Sequence, residues 1–170
     1  MKKRLGWPRA ALALLLMLVA TAGCGSGEPA TQGDAASLSP VSLAADEKLQ
    51  VIATTNIVGD VARNVGGDHI ALTVLMPPGV DPHAFEPIPQ DIAAVSRAHV
   101  VFANGAGLEA FLNRLLEGAG AGDRVVPLSQ GIQLLKTSAG PSGAQEHDGE
   151  DGDPHTWTDP NNVILWARNA

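Results

Sequence analysis

The sequence predicts an α/β fold, a parallel sheet of about four strands flanked by helices. Three observations carry this. From Leu49 onward, short β-branched runs alternate with segments of helical spacing. The runs are predominantly apolar, as suits strands covered on both faces. Gly66-Gly67 and Pro77-Pro78-Gly79 punctuate the changes of period.

The elements follow in order. Leu49 to Thr54 is a buried strand. Thr55 and Asn56 can cap a helix from about Ile57 to Val65, with Ile57, Val58, Val61, Ala62 and Val65 on one face. Ile70 to Met76 is a second strand. Ile88 to Ala98 is helical, with Ile88, Ile92 and Val95 inward. Val100 to Ala103 is a third strand, after which Leu108, Phe111, Leu112, Leu115 and Leu116 keep helical spacing. Val125 to Leu128 is a fourth strand, a short fifth is possible at Ile132 to Leu135, and a helix opens at Asn161. Such βα repeats place ligand sites beyond the carboxyl ends of the strands.

The first residues read as a leader. Lys2, Lys3, Arg4 and Arg9 precede an apolar run from Ala10 to Ala20, too short to span a bilayer but matching a signal-peptide core. Thr21-Ala22-Gly23-Cys24 then resembles a bacterial lipoprotein processing box, with a threonine where leucine is usual. Residues 1–23 are therefore expected to be a lipoprotein signal peptide. Cys24, the only cysteine and so unable to form an internal disulfide, is the expected lipidation site. Ordinary secretory cleavage is the alternative; both put the protein outside the cytoplasm, lipid-anchored to the membrane or periplasmic. Residues 24–48, rich in Gly, Ala, Ser and Pro, read as a flexible tether. The leader holds four of the basic residues and no acidic one, so the net charge of −7 becomes −11 without it. That balance disfavours nucleic acid and anionic lipid surfaces as partners.

Two histidines carry the chemistry. His83 lies in Asp81-Pro82-His83-Ala84-Phe85-Glu86-Pro87 and His155 in Asp153-Pro154-His155-Thr156-Trp157. Neutral imidazole is the commonest ligand for zinc-like metals, and a preceding proline stiffens the backbone that aims it. Asp81, Glu86 and Asp153 are candidates to orient the rings from behind. Both loops follow strands, so both can reach one rim. Phe85 and Trp157 are expected to wall the site. The acidic loop 140–153 reads as a solvated surface connection, with His147 and Asp148 as possible auxiliary ligands. His69 and His99 read as strand-edge residues.

These motifs, with Ile52-Ala53-Thr54-Thr55, Gln90-Asp91-Ile92 and Val101 to Glu109, resemble the metal-binding receptors of bacterial zinc and manganese ABC importers, also called the adhesin lipoprotein family. The resemblance runs from about Gln50 to the end. It implies one lobe of a two-lobed periplasmic-binding-protein-like receptor, residues 49–170 being the N-terminal metal-binding lobe. It further implies His83 and His155 as ligands and Zn²⁺ or Mn²⁺ as the transported ion. The implied partner is a membrane permease, and the protein is expected to be a monomer. The sequence runs to Ala170, within the helix after the second motif, so it is expected to lack the connecting helix and second lobe that the resemblance implies. The expectation is a partial receptor that binds metal weakly, because two histidines fill half of a tetrahedral zinc shell. Two histidines suit zinc; a carboxylate pair from the other lobe would favour manganese.

Other functions are weaker. Gly105-Ala106-Gly107 with Ala110 fits a dinucleotide fingerprint, but the acid expected at the end of the next strand is missing. A zinc-dependent exported hydrolase would need a general base, and Glu86 is the nearest. A surface adhesin is a separate reading, for which no motif is present. The chain is expected not to be an enzyme.

Overall fold

The computed structural model describes residues 38–136 and 152–170. The expected leader, Cys24, the start of the tether, and His147 and Asp148 of the acidic loop lie outside the described residues. The described strands are β1 (Leu49–Thr55), β2 (Ile70–Met76), β3 (Val100–Ala103) and β4 (Val125–Pro127). The helices are α1 (Asn56–Gly66), α2 (Pro89–Ser96), α3 (Leu112–Ala119) and α4 (Pro160–Asn169).

The strands form one parallel sheet in the order β2-β1-β3-β4. Period-two alternation divides its side chains between two cores. Val51, Ala53, Val100 and Phe102 face α1 and α4, packing with Val58, Val61, Ala62 and Trp166. Ile52 and Val101 face α2 and α3, packing with Val95, Phe111, Leu115 and Leu116. Because both faces are covered, the strands read as apolar runs in the sequence. The chain leaves β1 for β2 on one side and returns for β3 on the other. The strand order therefore reverses between β1 and β3, the place where such sheets open a crevice at their carboxyl ends.

Local chemistry sets the helix ends. Thr55 closes β1 and caps α1, its hydroxyl accepting from the Val58 amide at 3.1 Å. Pro89 opens α2, behind an extended Ile88 whose amide donates to Asp91 at 2.9 Å. Asp159 caps α4 by accepting from the Asn161 amide. Gly59 lets α1 lie close on β2, since a Cβ there would meet Val74 at 2.7 Å.

The structure corrects several expectations. Val65 is 50% exposed. It keeps the angular position of Val58, but in the last turn of α1 it is Gly66 that meets Ile70 of β2. Ile88 is 51% exposed because it caps α2 instead of lying within it. Leu108 and Phe111 are buried in the turn before α3 and are not part of the helix. No fifth strand forms at 132–135: Gly131, at φ 82°, turns the chain away after β4, and Leu135 is exposed.

Trp166 is fully buried between α4 and the sheet. Trp166→Ala is expected to cost about 3–5 kcal/mol in urea unfolding. Val65→Ala should stay within about 0.5 kcal/mol. Comparable losses in the two variants would contradict the assigned face of α1.

Candidate metal centre

His83 lies between β2 and α2, and His155 lies just before a short 3-10 turn at Thr156–Thr158 that leads into α4. Seventy-two positions apart in sequence, they meet in space, with ring centroids 5.6 Å apart and planes at 64°. Zinc–nitrogen bonds of about 2.0–2.1 Å at a tetrahedral angle put two imidazole centroids roughly 5 Å apart. The observed spacing therefore suits two rings sharing one ion.

The two Asp-Pro-His segments fold alike. The Asp81 carboxylate accepts from the His83 amide at 2.9 Å, and the Asp153 carboxylate accepts from the His155 amide at 2.9 Å. Each is an aspartate turn that bends the chain back by two residues. Asp153 does more, its Oδ1 lying 2.6 Å from Nδ1 of His155. That contact leaves Nε2 of His155 to face a ligand, the arrangement typical of metal-bound histidine. The amide and ring of His155 together hold the Asp153 carboxyl below its ordinary value of 3.8. Trp157 stands edge-on to His155 at 5.2 Å, and Phe85 packs on Phe111 at 4.8 Å, anchoring the His83 loop to the core.

Beneath the site lies a buried polar cluster. The Glu109 carboxylate accepts from the Thr54 hydroxyl at 2.6 Å, the Asn104 amide at 2.7 Å and the Gly105 amide at 3.1 Å. These donors come from the ends of β1 and β3, so Glu109 fills the point where the strand order reverses. It also occupies the amides that a dinucleotide phosphate would need. The glycines instead build a tight turn: φ is 79° at Gly105, 53° at Ala106 and 77° at Gly107. A Cβ at Gly105 would meet Pro127 at 2.8 Å. Ser129, at the exit of β4, shares a 2.7 Å hydroxyl contact with Thr156.

Among the expected site residues, the structure brings together His83, His155 and Asp153. Asp81 bonds the backbone of His83, and the carboxylate of Glu86 is exposed and makes no hydrogen bond among the described residues. His69 is exposed in a turn, and His99 pairs with Gln50 at the start of β1. Asp153 sits behind His155, and no group of three or more His, Cys, Asp or Glu among the described residues is placed to hold a metal ion together, so the two rings supply half of a tetrahedral shell. Sequence reasoning missed Glu109, Asn104, Ser129 and Thr156 as supports of the site. The available signal was an acid set between Leu108 and Phe111, where a surface charge would be out of place.

Burial pushes the Glu109 carboxyl above its ordinary value of 4.5, against four hydrogen bonds that lower it, from the Thr54 hydroxyl and the amides of Asn104, Gly105 and Glu109 itself. The folded chain thus holds this proton more tightly than the unfolded chain. The stability it contributes is full below pH 4.5 and is lost as pH rises through the raised value. Urea midpoints of wild type and Glu109→Gln across the acid-to-neutral range should show the wild-type advantage shrinking as pH rises. A constant or growing advantage would contradict this.

The family described as zinc-uptake complex component A, periplasmic, matches residues 51–170. The manganese-binding lipoprotein MntA of Halalkalibacterium halodurans is 35% identical over 91% of this chain and 44% of its own length. The manganese ABC transporter substrate-binding lipoprotein PsaA of Streptococcus anginosus is 32% identical over 93% of this chain and 47% of its own. The chain thus spans about half the length of the curated relatives it matches. Among solved structures, the metal-dependent lipoprotein YcdH of Bacillus subtilis superposes with a TM-score of 0.59 at 27% identity, covering 72% of this chain and 42% of that one. Sequence motifs, sheet topology and family match agree, and the chain belongs to the zinc-uptake complex component A family.

Proposed function

We propose that this chain captures Zn²⁺ or Mn²⁺ outside the cytoplasm with His83 and His155 and delivers it to the permease of an ABC importer. The observation that carries the reading is the facing pair of rings 5.6 Å apart, one of them held at Nδ1 by Asp153. The ion is cargo: no bond is made or broken, and the site needs affinity without a nucleophile or base. The relatives' names, which describe substrate-binding lipoproteins and manganese, support the same reading. Zinc is supported by the family description and by the preference of paired imidazoles for Zn²⁺ over Mn²⁺.

In this reading residues 1–23 are a signal peptide, Cys24 carries the lipid, and residues 24–48 tether the metal-binding lobe 49–170, which acts as a monomer. His147 and Asp148 are auxiliary ligands, and Asp81 supports His83 through its backbone amide. Oxygen ligands from outside the described residues, or water, complete the shell. No observation favours adhesion or hydrolysis over capture.

Calorimetric titration with Zn²⁺ tests the assignment. His83→Ala and His155→Ala are each expected to lower affinity by about 100-fold or more, at or beyond the upper end of the 10–100-fold loss typical of outer-shell changes. Unchanged binding in both variants would contradict it. Asp153→Asn should lower affinity within that 10–100-fold range, because the neutral amide makes the imidazole less basic.

A further inference from the structure

Asn104 is fully buried, polar, and bonded outward to the loop that carries a metal-site histidine. We propose that Asn104 is a positioning residue for the metal site, setting the pose of His155 through the Pro154 carbonyl. The inference rests on the reading of His155 as a ligand.

The argument begins with what Asn104 touches. Its Nδ2 donates to the Gly105 carbonyl at 2.7 Å and the Pro154 carbonyl at 3.0 Å. Two carbonyls can be met only by the nitrogen end of an amide, so the orientation of this side chain is fixed by chemistry. The Pro154 carbonyl also accepts from the Thr156 amide at 2.8 Å. That bond closes a three-residue turn around His155, whose φ of −78° and ψ of 51° match an inverse γ-turn. Asn104 therefore braces the same carbonyl that sets the backbone of His155. On the other side, Ser129 holds the hydroxyl of Thr156. The backbone around His155 is thus clamped to the ends of β3 and β4, and Asp153 takes the remaining freedom of the ring.

Glu109 makes the brace stiff. Its carboxylate takes the amides of Asn104 and Gly105 while bonding Thr54 of β1, so Asn104 is held from the neighbouring strand. One detail speaks against a role in packing alone. Oδ1 of Asn104 is buried and has no hydrogen-bond partner among the described residues, an acceptor that an apolar residue would not bring there. Retaining a buried amide with one end unmet makes sense where its other end aims something.

The test is Zn²⁺ calorimetry and thermal melting on the full chain for Asn104→Ser and the isosteric Asn104→Asp. Val100→Ala is the control, because Val100 is buried at the amino end of β3, opposite the carboxyl-end rim that carries His83 and His155. The Asn104 variants are expected to lose about 10–100-fold in Zn²⁺ affinity, as outer-shell changes do. Val100→Ala, though destabilised, should stay within about twofold of wild type, since it touches no outer-shell group. Wild-type affinity in a folded Asn104 variant, or an equal loss in Val100→Ala, overturns the inference. Should neither Asn104 variant fold, the unaltered chain answers by NMR. The Asn104 side-chain amide should then shift with Zn²⁺ at the same midpoint as the His155 ring, and an unmoved amide overturns the inference. His155→Ala without effect on Zn²⁺ sinks the metal-site reading and this inference together. A loss in His155→Ala with none at Asn104 sinks this inference alone.

Discussion

A carboxylate buried away from water costs several kcal/mol unless its lone pairs are met. Glu109 meets that constraint by drawing donors from two strands onto itself: the Thr54 hydroxyl, the Asn104 amide and the Gly105 amide. The carboxyl ends of β1 and β3 are thereby fixed against one another where the strand order reverses. Much of the site hangs from this point. The turn through Gly105, Ala106 and Gly107 takes its left-handed course over the carboxylate. Asn104 reaches from it to the loop of His155.

The site combines two kinds of support. Both histidines share a local one, an aspartate two residues upstream that catches the histidine amide behind a rigid proline. His155 adds a long-range one, because Asn104, Ser129 and Asn162 tie its neighbours to β3, β4 and α4. Trp157 links the ring of His155 toward Trp166 in the core, with centroids 6.3 Å apart. A metal-capturing site benefits from such preparation, since a ring already aimed loses little freedom when the ion arrives. Topology brings the two rings near one another, because each follows a different strand to the same rim of a parallel sheet.

The sequence made much of this legible, and the reasons are physical. β2 and β3 begin and end where expected because apolar strands buried on both faces stand out against the turn residues around them. The Asp-Pro-His pair was visible as a repeated local motif. Expectations failed where tertiary context decided. Leu134 and Leu135 look like strand residues, yet Gly131 turns them off the sheet, and Leu134 lies close against Gly152. Ile88 looked inward until Pro89 is recognised as the first helical residue, which leaves Ile88 as the cap. Glu109 escaped notice because a single acid in a helical pattern normally faces water. Its partners lie 55, 5 and 4 positions away, in β1 and just past the end of β3, strands whose pairing the sequence does not print.

The central claim is that His83 and His155 hold one ion together at the rim of the sheet. The most direct measurement is Zn²⁺ titration of the chain with ¹⁵N-labelled histidine, followed at the ring nitrogens by NMR. The account predicts that His83 and His155 shift with a common midpoint, His155 through Nε2, while His69 and His99 stay in place. Separate midpoints for the two rings, or a response at Nδ1 of His155 in place of Nε2, would contradict it.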